Sequence, residues 1–256
     1  MGLRVRIIPC LLLDGSSLVK TVRFRNPVYI GDPVNTVRIF NELEVDELCL
    51  LDIRATKERR PPNFELLEEI ASEAYMPLSY GGGIRDADTV GSLLRSGFEK
   101  VVINTALLDA PDVIGQAARA YGKQSVVASI DVRKKLFGRQ EVLVEAGSRT
   151  ASADPVAWAR RADDLGAGEI LLTSIDREGT WSGFDAALIS SIARAVSVPV
   201  IANGGAGSVG DVGEAVRAGA SAVALGSMVV FQGKDLGVLV NFPEPADLDH
   251  VTGRTW

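Results

Sequence analysis

Two copies of one strand-helix-strand unit, in a chain of 256 residues that alternates short apolar runs with amphipathic segments, predict an α/β fold of the (β/α)8 barrel type. The first copy is PLSYGGGIRDADTVGSLLRSGFEKVVINTA (77–106), and the second, PVIANGGAGSVGDVGEAVRAGASAVALGSM (199–228), aligns with it without a gap. In each, an apolar run opened by proline ends in a glycine pair, Gly82-Gly83 or Gly204-Gly205. An amphipathic segment of about three turns then runs to Gly97 or Gly219, and a second apolar run begins. At the same offset VDELCLLDI (45–53) lies over AGEILLTSI (167–175), placing Glu47 on Glu169. Slightly out of phase, RVRIIPCLLL near the start lies over SVVASIDV, so that Leu12 falls on Asp131. The expectation is one domain, 1–256, of two homologous half-barrels, 1–122 and 123–232, with a tail at 233–256.

In chain order, a first strand over about 5–13 precedes a long polar loop, 14–31, carrying Lys20, Arg23 and Arg25. Asp32 then caps a helix whose first residue is Pro33, because a short acidic side chain can accept from unpaired first-turn amides and proline has none to lose. That helix runs to about Asn41, and a strand at 47–52 leads through RATKERRPPN to a helix at 64–74. The first repeated unit supplies the next strand, helix and strand, and a helix follows Asp109-Ala110-Pro111. A strand at 125–132 is followed by RKKLFGRQEVLVEAGSRT, whose alternation around 137–144 predicts a β-hairpin inside the loop. A helix from Asp154-Pro155, a strand at 169–173, a helix at 185–195 and the second repeated unit close the barrel. The tail from Gly233 has no strong helical period, so a short or irregular eighth helix is expected.

Composition fits one large core, with 46% hydrophobic and 23% charged residues. A net charge of -6 gives no electrostatic reason to expect nucleic acid. The N-terminal apolar run is short, ends in Asp-Gly and is read as a strand, not a secretion signal. No run approaches the roughly twenty apolar residues of a membrane span, so no membrane partner is expected. Cys10 and Cys49 both fall inside predicted strands, which suits buried free thiols in a reducing cytoplasm. The single histidine, His250, lies in the tail, so neither a histidine base nor a histidine metal site is expected in the barrel, and no metal or other cofactor is assigned.

Barrels carry their chemistry at the C-terminal ends of their strands. Asp131 follows the apolar run VVASI, where a carboxylate is costly unless solvated by the mouth or paired, and it is the first candidate for a general acid or base. A structural aspartate capping loop amides is the alternative. Asp52 sits at an equivalent strand end, with Arg54 close enough in sequence to pair with it. The duplicated glycine turns, with Asn104-Thr105 and Gly226-Ser227 at matching strand ends, predict two anion sites on opposite sides of the mouth.

The segments GDP, DEL..LDI, YGGGIRD, INTA, GAGEILLTSIDREGT and ANGGAG resemble the cyclase subunit of imidazole glycerol phosphate synthase along the chain to about Phe231. The resemblance implies a (β/α)8 barrel that takes ammonia from a glutaminase subunit at its N-terminal face and uses it on a bisphosphate at its C-terminal face. The family's phosphate sites fall on Gly83, Asn104 and Thr105, and on Gly179, Gly205, Gly226 and Ser227. Its ammonia gate falls on Arg6, Glu47, Lys100 and Glu169, its loop lysine on Lys20, and its acidic residue after the sixth strand on Glu178. No Cys-His glutaminase pair is present, so the glutaminase must be a separate chain.

One departure stands out. The family's cyclase uses two opposed aspartates; the second is Asp131 here, but Leu12 occupies the place of the first. The segments IPCLLL, LVKTVRF, MPLSYGGGI, DVRKKLFG and VFQGKDLGVLVNFP resemble a branch associated with amidation of bacterial surface sugars, in which the barrel and its glutaminase provide ammonia for an acetamidino group. Three functions stay open: a barrel subunit of a glutamine amidotransferase for sugar amidation, a histidine-pathway cyclase, and a phosphosugar isomerase or non-catalytic phosphate-binding barrel.

Overall fold

The computed structural model describes residues 5–252. In chain order its strands are β1 (Arg6–Asp14), β2 (Ser17–Val22), β3 (Arg25–Gly31), β4 (Leu48–Asp52), β5 (Leu78–Gly81), β6 (Lys100–Ile103), β7 (Val126–Lys134), β8 (Gln140–Val144), β9 (Arg149–Ser152), β10 (Glu169–Ser174), β11 (Val200–Asn203) and β12 (Ala222–Leu225). The helices are α1 (Pro33–Glu42), α2 (Phe64–Glu73), α3 (Ala87–Arg95), α4 (Ala106–Asp109), α5 (Asp112–Tyr121), α6 (Pro155–Asp164), α7 (Ala186–Ala193), α8 (Val209–Arg217), α9 (Ser227–Val230) and α10 (Pro245–Thr252).

Eight parallel strands close on themselves: β1 pairs with β4, the order continues through β5, β6, β7, β10 and β11 to β12, and β12 pairs back with β1. This is the (β/α)8 barrel the sequence predicts. Its interior holds Ile8, Cys10, Cys49, Val102, Val127, Leu171, Ile201, Ala222 and Ala224. A larger outer core between strands and helices includes Phe40, Leu67, Ile70, Leu93, Trp158 and Ile192. Burying one such large side chain stabilises the fold by about 1.5–3 kcal/mol.

Capping fixes how the helices leave the mouth. Asp32, Asn63, Asp86, Asp154, Asp185 and Ser208 each accept a hydrogen bond from a first-turn amide, and Asp211 completes a capping box with Ser208. Each cap is worth about 1 kcal/mol, and each turns the positive end of a helix toward the end of the barrel where the strands finish.

Two segments differ from their sequence-based expectations. The expected polar loop at 14–31 is a hairpin, with β2 pairing antiparallel to β1 and β3 to β2. Its turn residues, Arg23 and Phe24, take φ of 54° and 61°, a conformation ordinarily given to Asn-Gly, so the sequence carries no turn signal there. The helix expected after Pro111 is preceded by the extra turn α4. The tail ends in a short helix, α10, in line with the expectation, and it packs on α8. The excursion after the strand at β7 is sheet, as expected: β8 pairs antiparallel with β7, and β9 with β8. Cys10 and Cys49 are buried free thiols.

Candidate functional site

A cavity of about 300 Å3 opens where the barrel strands end. Its lining includes Leu12, Lys20, Asp52, Gly83, Asn104, Thr105, Asp131, Glu178, Gly179, Gly205, Gly226 and Ser227, so the structure brings every mouth residue singled out from the sequence to one place.

Asp131 stands on the floor of this cavity and is 7% exposed. Ser129 Oγ donates to its Oδ1 at 3.3 Å and Asn104 Nδ2 to its Oδ2 at 3.3 Å. Burial pushes its carboxyl up to about 7, while hydrogen bonds from Thr173 and Ser129 favour the ionised form. A group that changes charge near neutrality is suited to moving a proton in either direction.

Lys20 and Glu178 form a buried ion pair between β2 and the loop after β10. Glu178 also accepts from Thr21 Oγ1 at 3.0 Å and from the Phe24 amide at 2.9 Å, and its own carbonyl accepts from the Arg23 amide at 2.9 Å. These bonds hold the unusual Arg23-Phe24 turn in place and draw the hairpin across the mouth. Lys20 leans against the Gly226 turn, where a Cβ would lie 2.9 Å from Lys20 Cε.

Asp52 is engaged differently from the sequence expectation. Its Oδ1 accepts from the Arg54 and Ala55 amides, both at 2.9 Å, and the guanidinium of Arg60 pairs with it at 2.9 Å. The Arg54 side chain instead reaches Asp14. Both Asp52 oxygens are therefore committed to shaping the 53–60 loop, which argues for a structural role over proton transfer.

The glycine turns are tight because neighbouring backbone leaves no room. At Gly205, with φ of 115°, a Cβ would sit 2.2 Å from the Gly183 carbonyl oxygen, and at Gly179 one would sit 2.4 Å from that of Thr21. In the other half the Gly83 amide donates to Thr56 Oγ1 at 3.2 Å, and Thr105 Oγ1 accepts from the Glu145 amide at 3.0 Å. The Asn104 side chain points to the floor, donating to the Ser129 carbonyl and Asp131.

At the opposite end of the barrel, Arg6, Glu47, Lys100 and Glu169 close a ring of ion pairs. Arg6 reaches Glu47 at 2.7 Å and Glu169 at 3.0 Å, and Lys100 reaches the same two at 2.8 and 3.3 Å. Just inside lies a void of about 10 Å3 lined by Glu47, Cys49, Ser79 and apolar side chains, room for about one water-sized molecule. The neighbouring Cys49 thiol, together with burial, pushes the Cys10 thiol well up, so it is no ready nucleophile.

Sequence reasoning singled out neither Thr173 nor Ser129, although both line the floor beside Asp131. The signal available was alternation, since each lies an even step from another inward-facing position on its strand. Among the described residues no group of histidine, cysteine, aspartate or glutamate is arranged to hold a metal, and no helix is long and apolar enough to cross a membrane.

The molecule is thus a (β/α)8 barrel with a buried carboxyl at its mouth, tight glycine turns on either side of it and an ion-pair ring at its base. The chain belongs to the histidine biosynthesis protein family, whose sequence profile it matches over residues 6–235, and within it to the HisF-like imidazole glycerol phosphate synthase subunits. It is 50% identical over 247 residues to a Pseudomonas aeruginosa protein provisionally named imidazole glycerol phosphate synthase subunit hisF2, covering 96% of this chain and 98% of that one. A Vibrio vulnificus protein provisionally named subunit hisF3 is 43% identical over 250 residues, covering 96% and 95%. The imidazole glycerol phosphate synthase subunit HisF of Streptomyces coelicolor is 43% identical over 231 residues, covering 90% and 92%.

Proposed function

We propose that this barrel is the ammonia-accepting subunit of a two-subunit glutamine amidotransferase and that it serves amidation of a phosphorylated acceptor of the bacterial surface-sugar type. The observation carrying this reading is Leu12: it lines the mouth where the family's cyclase places its first aspartate, and an alkyl side chain moves no proton. Cyclisation by two opposed carboxyls is not available to such a mouth, whereas receiving ammonia and holding an anionic acceptor are. Ammonia enters through the ring of Arg6, Glu47, Lys100 and Glu169, supported by the small void directly behind it. The glycine turns at Gly83 and Thr105, and at Gly179, Gly205, Gly226 and Ser227, hold phosphate, with Lys20 beside the second and the capped helix ends adding positive potential. Asp131 then serves as the general acid or base toward the bound acceptor, and Lys20 and Glu178 position the hairpin above it.

A second reading, the histidine-pathway cyclase, is supported by the 43% identity to the HisF subunit of Streptomyces coelicolor, while Asp131 would serve either chemistry.

The glutaminase docks on the face surrounding the ion-pair ring. Tyr75, in the connection between α2 and β5 on that face, is 90% exposed, and exposed aromatics are frequent anchors of protein interfaces. The isolated barrel is expected to release no ammonia from glutamine and to co-elute with a co-expressed glutaminase of its family. Tyr75→Ala is expected to weaken that complex about 10-fold or more, read by surface plasmon resonance. Ammonia release by the barrel alone would defeat the two-subunit reading.

A crystal soaked in concentrated sulfate is expected to show anions beside Gly83 and Thr105 and beside Gly205 and Ser227. Empty turns at both places would remove the phosphate assignment.

A further inference from the structure

The floor of the mouth is divided into two unlike halves. On one side Leu12 and Leu51 are register partners on β1 and β4, and Leu51 is in turn the partner of Gly81 on β5. On the other side Asp131, Thr173 and Asn203 are register partners across β7, β10 and β11, with Asn203 Nδ2 donating to Thr173 Oγ1 at 3.1 Å. The strand order places these two rows across the barrel from each other. One row has no hydrogen-bonding side chain and the other consists of them.

The apolar row is not ordinary core. In β4 every residue but Leu51 is buried, and in β1 Leu12 alone interrupts the buried run from Ile7 to Leu13. Both leucines are partly exposed, and both face the open cavity. Below them Cys10 and Ala224 continue the apolar lining. An ammonia path would need only the narrow bore further down. Leucines left facing a cavity of about 300 Å3 are instead surface waiting for an apolar group, since covering them removes hydrocarbon from water.

We infer that the ligand of this mouth is amphipathic: a phosphorylated compound whose apolar substituent, of methyl to short acyl size, lies on Leu12 and Leu51 while its hydrogen-bonding edge faces Asp131, Thr173 and Asn203. The inference rests on the reading that the glycine turns hold phosphate, and it narrows the acceptor to compounds such as deoxy or acylated sugar phosphates. Leu12 is then a specificity residue as well as the loss of a carboxyl. A hydroxyl set against the two leucines would give up its water without gaining a partner.

A matched pair of probes tests this: 6-deoxyglucose 1-phosphate against glucose 1-phosphate, titrated calorimetrically into the full chain, with inorganic phosphate as the control for the turns. The deoxy compound is expected to bind about 10-fold more tightly than its hydroxylated parent. Its methyl protons are expected to show nuclear Overhauser contacts to the methyls of both Leu12 and Leu51, with the Leu51 contacts weakened in Leu12→Asp. In Leu12→Asp the preference is expected to fall to parity or reverse. Equal affinity of the two probes for the natural protein, or binding of inorganic phosphate with neither sugar phosphate bound, would overturn the inference while leaving the phosphate turns intact. Failure of inorganic phosphate itself to bind would instead remove the phosphate reading and the inference with it.

Discussion

Replacing Glu178 by alanine is expected to destabilise the protein by about 3–5 kcal/mol, because removing one member of a buried ion pair leaves the other charged and unpaired. The stranded group is Lys20, with its side chain 7% exposed. The same substitution removes the acceptor of Thr21 Oγ1 and of the Phe24 amide, the bonds that hold Arg23 and Phe24 at positive φ. Loss is therefore expected to concentrate in the hairpin of β2 and β3: urea unfolding should shift to lower concentration, and amides of residues 17–31 should exchange faster than those of the barrel strands. Replacing both partners, Lys20→Met with Glu178→Met, should cost less than Glu178→Ala alone, since no buried charge remains. If the single variant matched the natural protein in stability and exchange, the pair would not be what anchors the hairpin.

Asp131→Asn is expected to stabilise the protein, and to do so only above a certain pH. The folded carboxyl holds its proton up to about pH 7, whereas its ordinary value is 3.8. Between these values the folded state binds more protons than the unfolded one, so stability falls as pH rises through that window. Below about pH 4 both states are protonated and the aspartate costs nothing; above about pH 7 the whole cost is present. Asparagine carries no charge to desolvate, so its advantage should be absent at pH 4 and reach on the order of a few kcal/mol by pH 8. Thermal unfolding of the two proteins across that range reads it directly. Parallel profiles would show that Asp131 is solvated well enough to ionise at its ordinary value. Any proton transfer by the mouth should be lost in the same variant, a cost of about 100-fold to 10,000-fold in rate.

Local chemistry made much of this fold legible in the sequence. Asp32-Pro33 and Asp154-Pro155 announce their helices because capping is decided within four residues; both helices begin there, with the expected cap at Asp32 and a further one at Asp154. The barrel strands could be read because apolar runs between glycine turns leave few other places to go. The features that escaped are set by tertiary contact. The Lys20–Glu178 pair joins residues 158 apart, and nothing in either neighbourhood points to the other except the family resemblance. The hairpin at 17–31 hid because its turn is Arg-Phe and Pro27 interrupts its second strand, while the interactions that stabilise it come from the loop after β10. Asp52 took Arg60 as its partner where Arg54 is nearer in sequence, since the 53–60 loop curls back over the strand end. The division of the floor was half visible: Leu12 and Asp131 fell opposite one another in the repeat, but the rows through Leu51 and through Thr173 and Asn203 needed strand register to find them.

The account turns on Leu12, and turnover of the histidine-pathway bisphosphate with ammonium salt supplied directly tests it without any partner. The natural barrel is expected to give no measurable cyclisation, and Leu12→Asp, which returns a carboxyl to the cavity that Asp131 shares, is expected to gain it. Cyclisation by the natural protein at ordinary enzyme rates would contradict the amidation reading and show that a two-carboxyl mouth is not required.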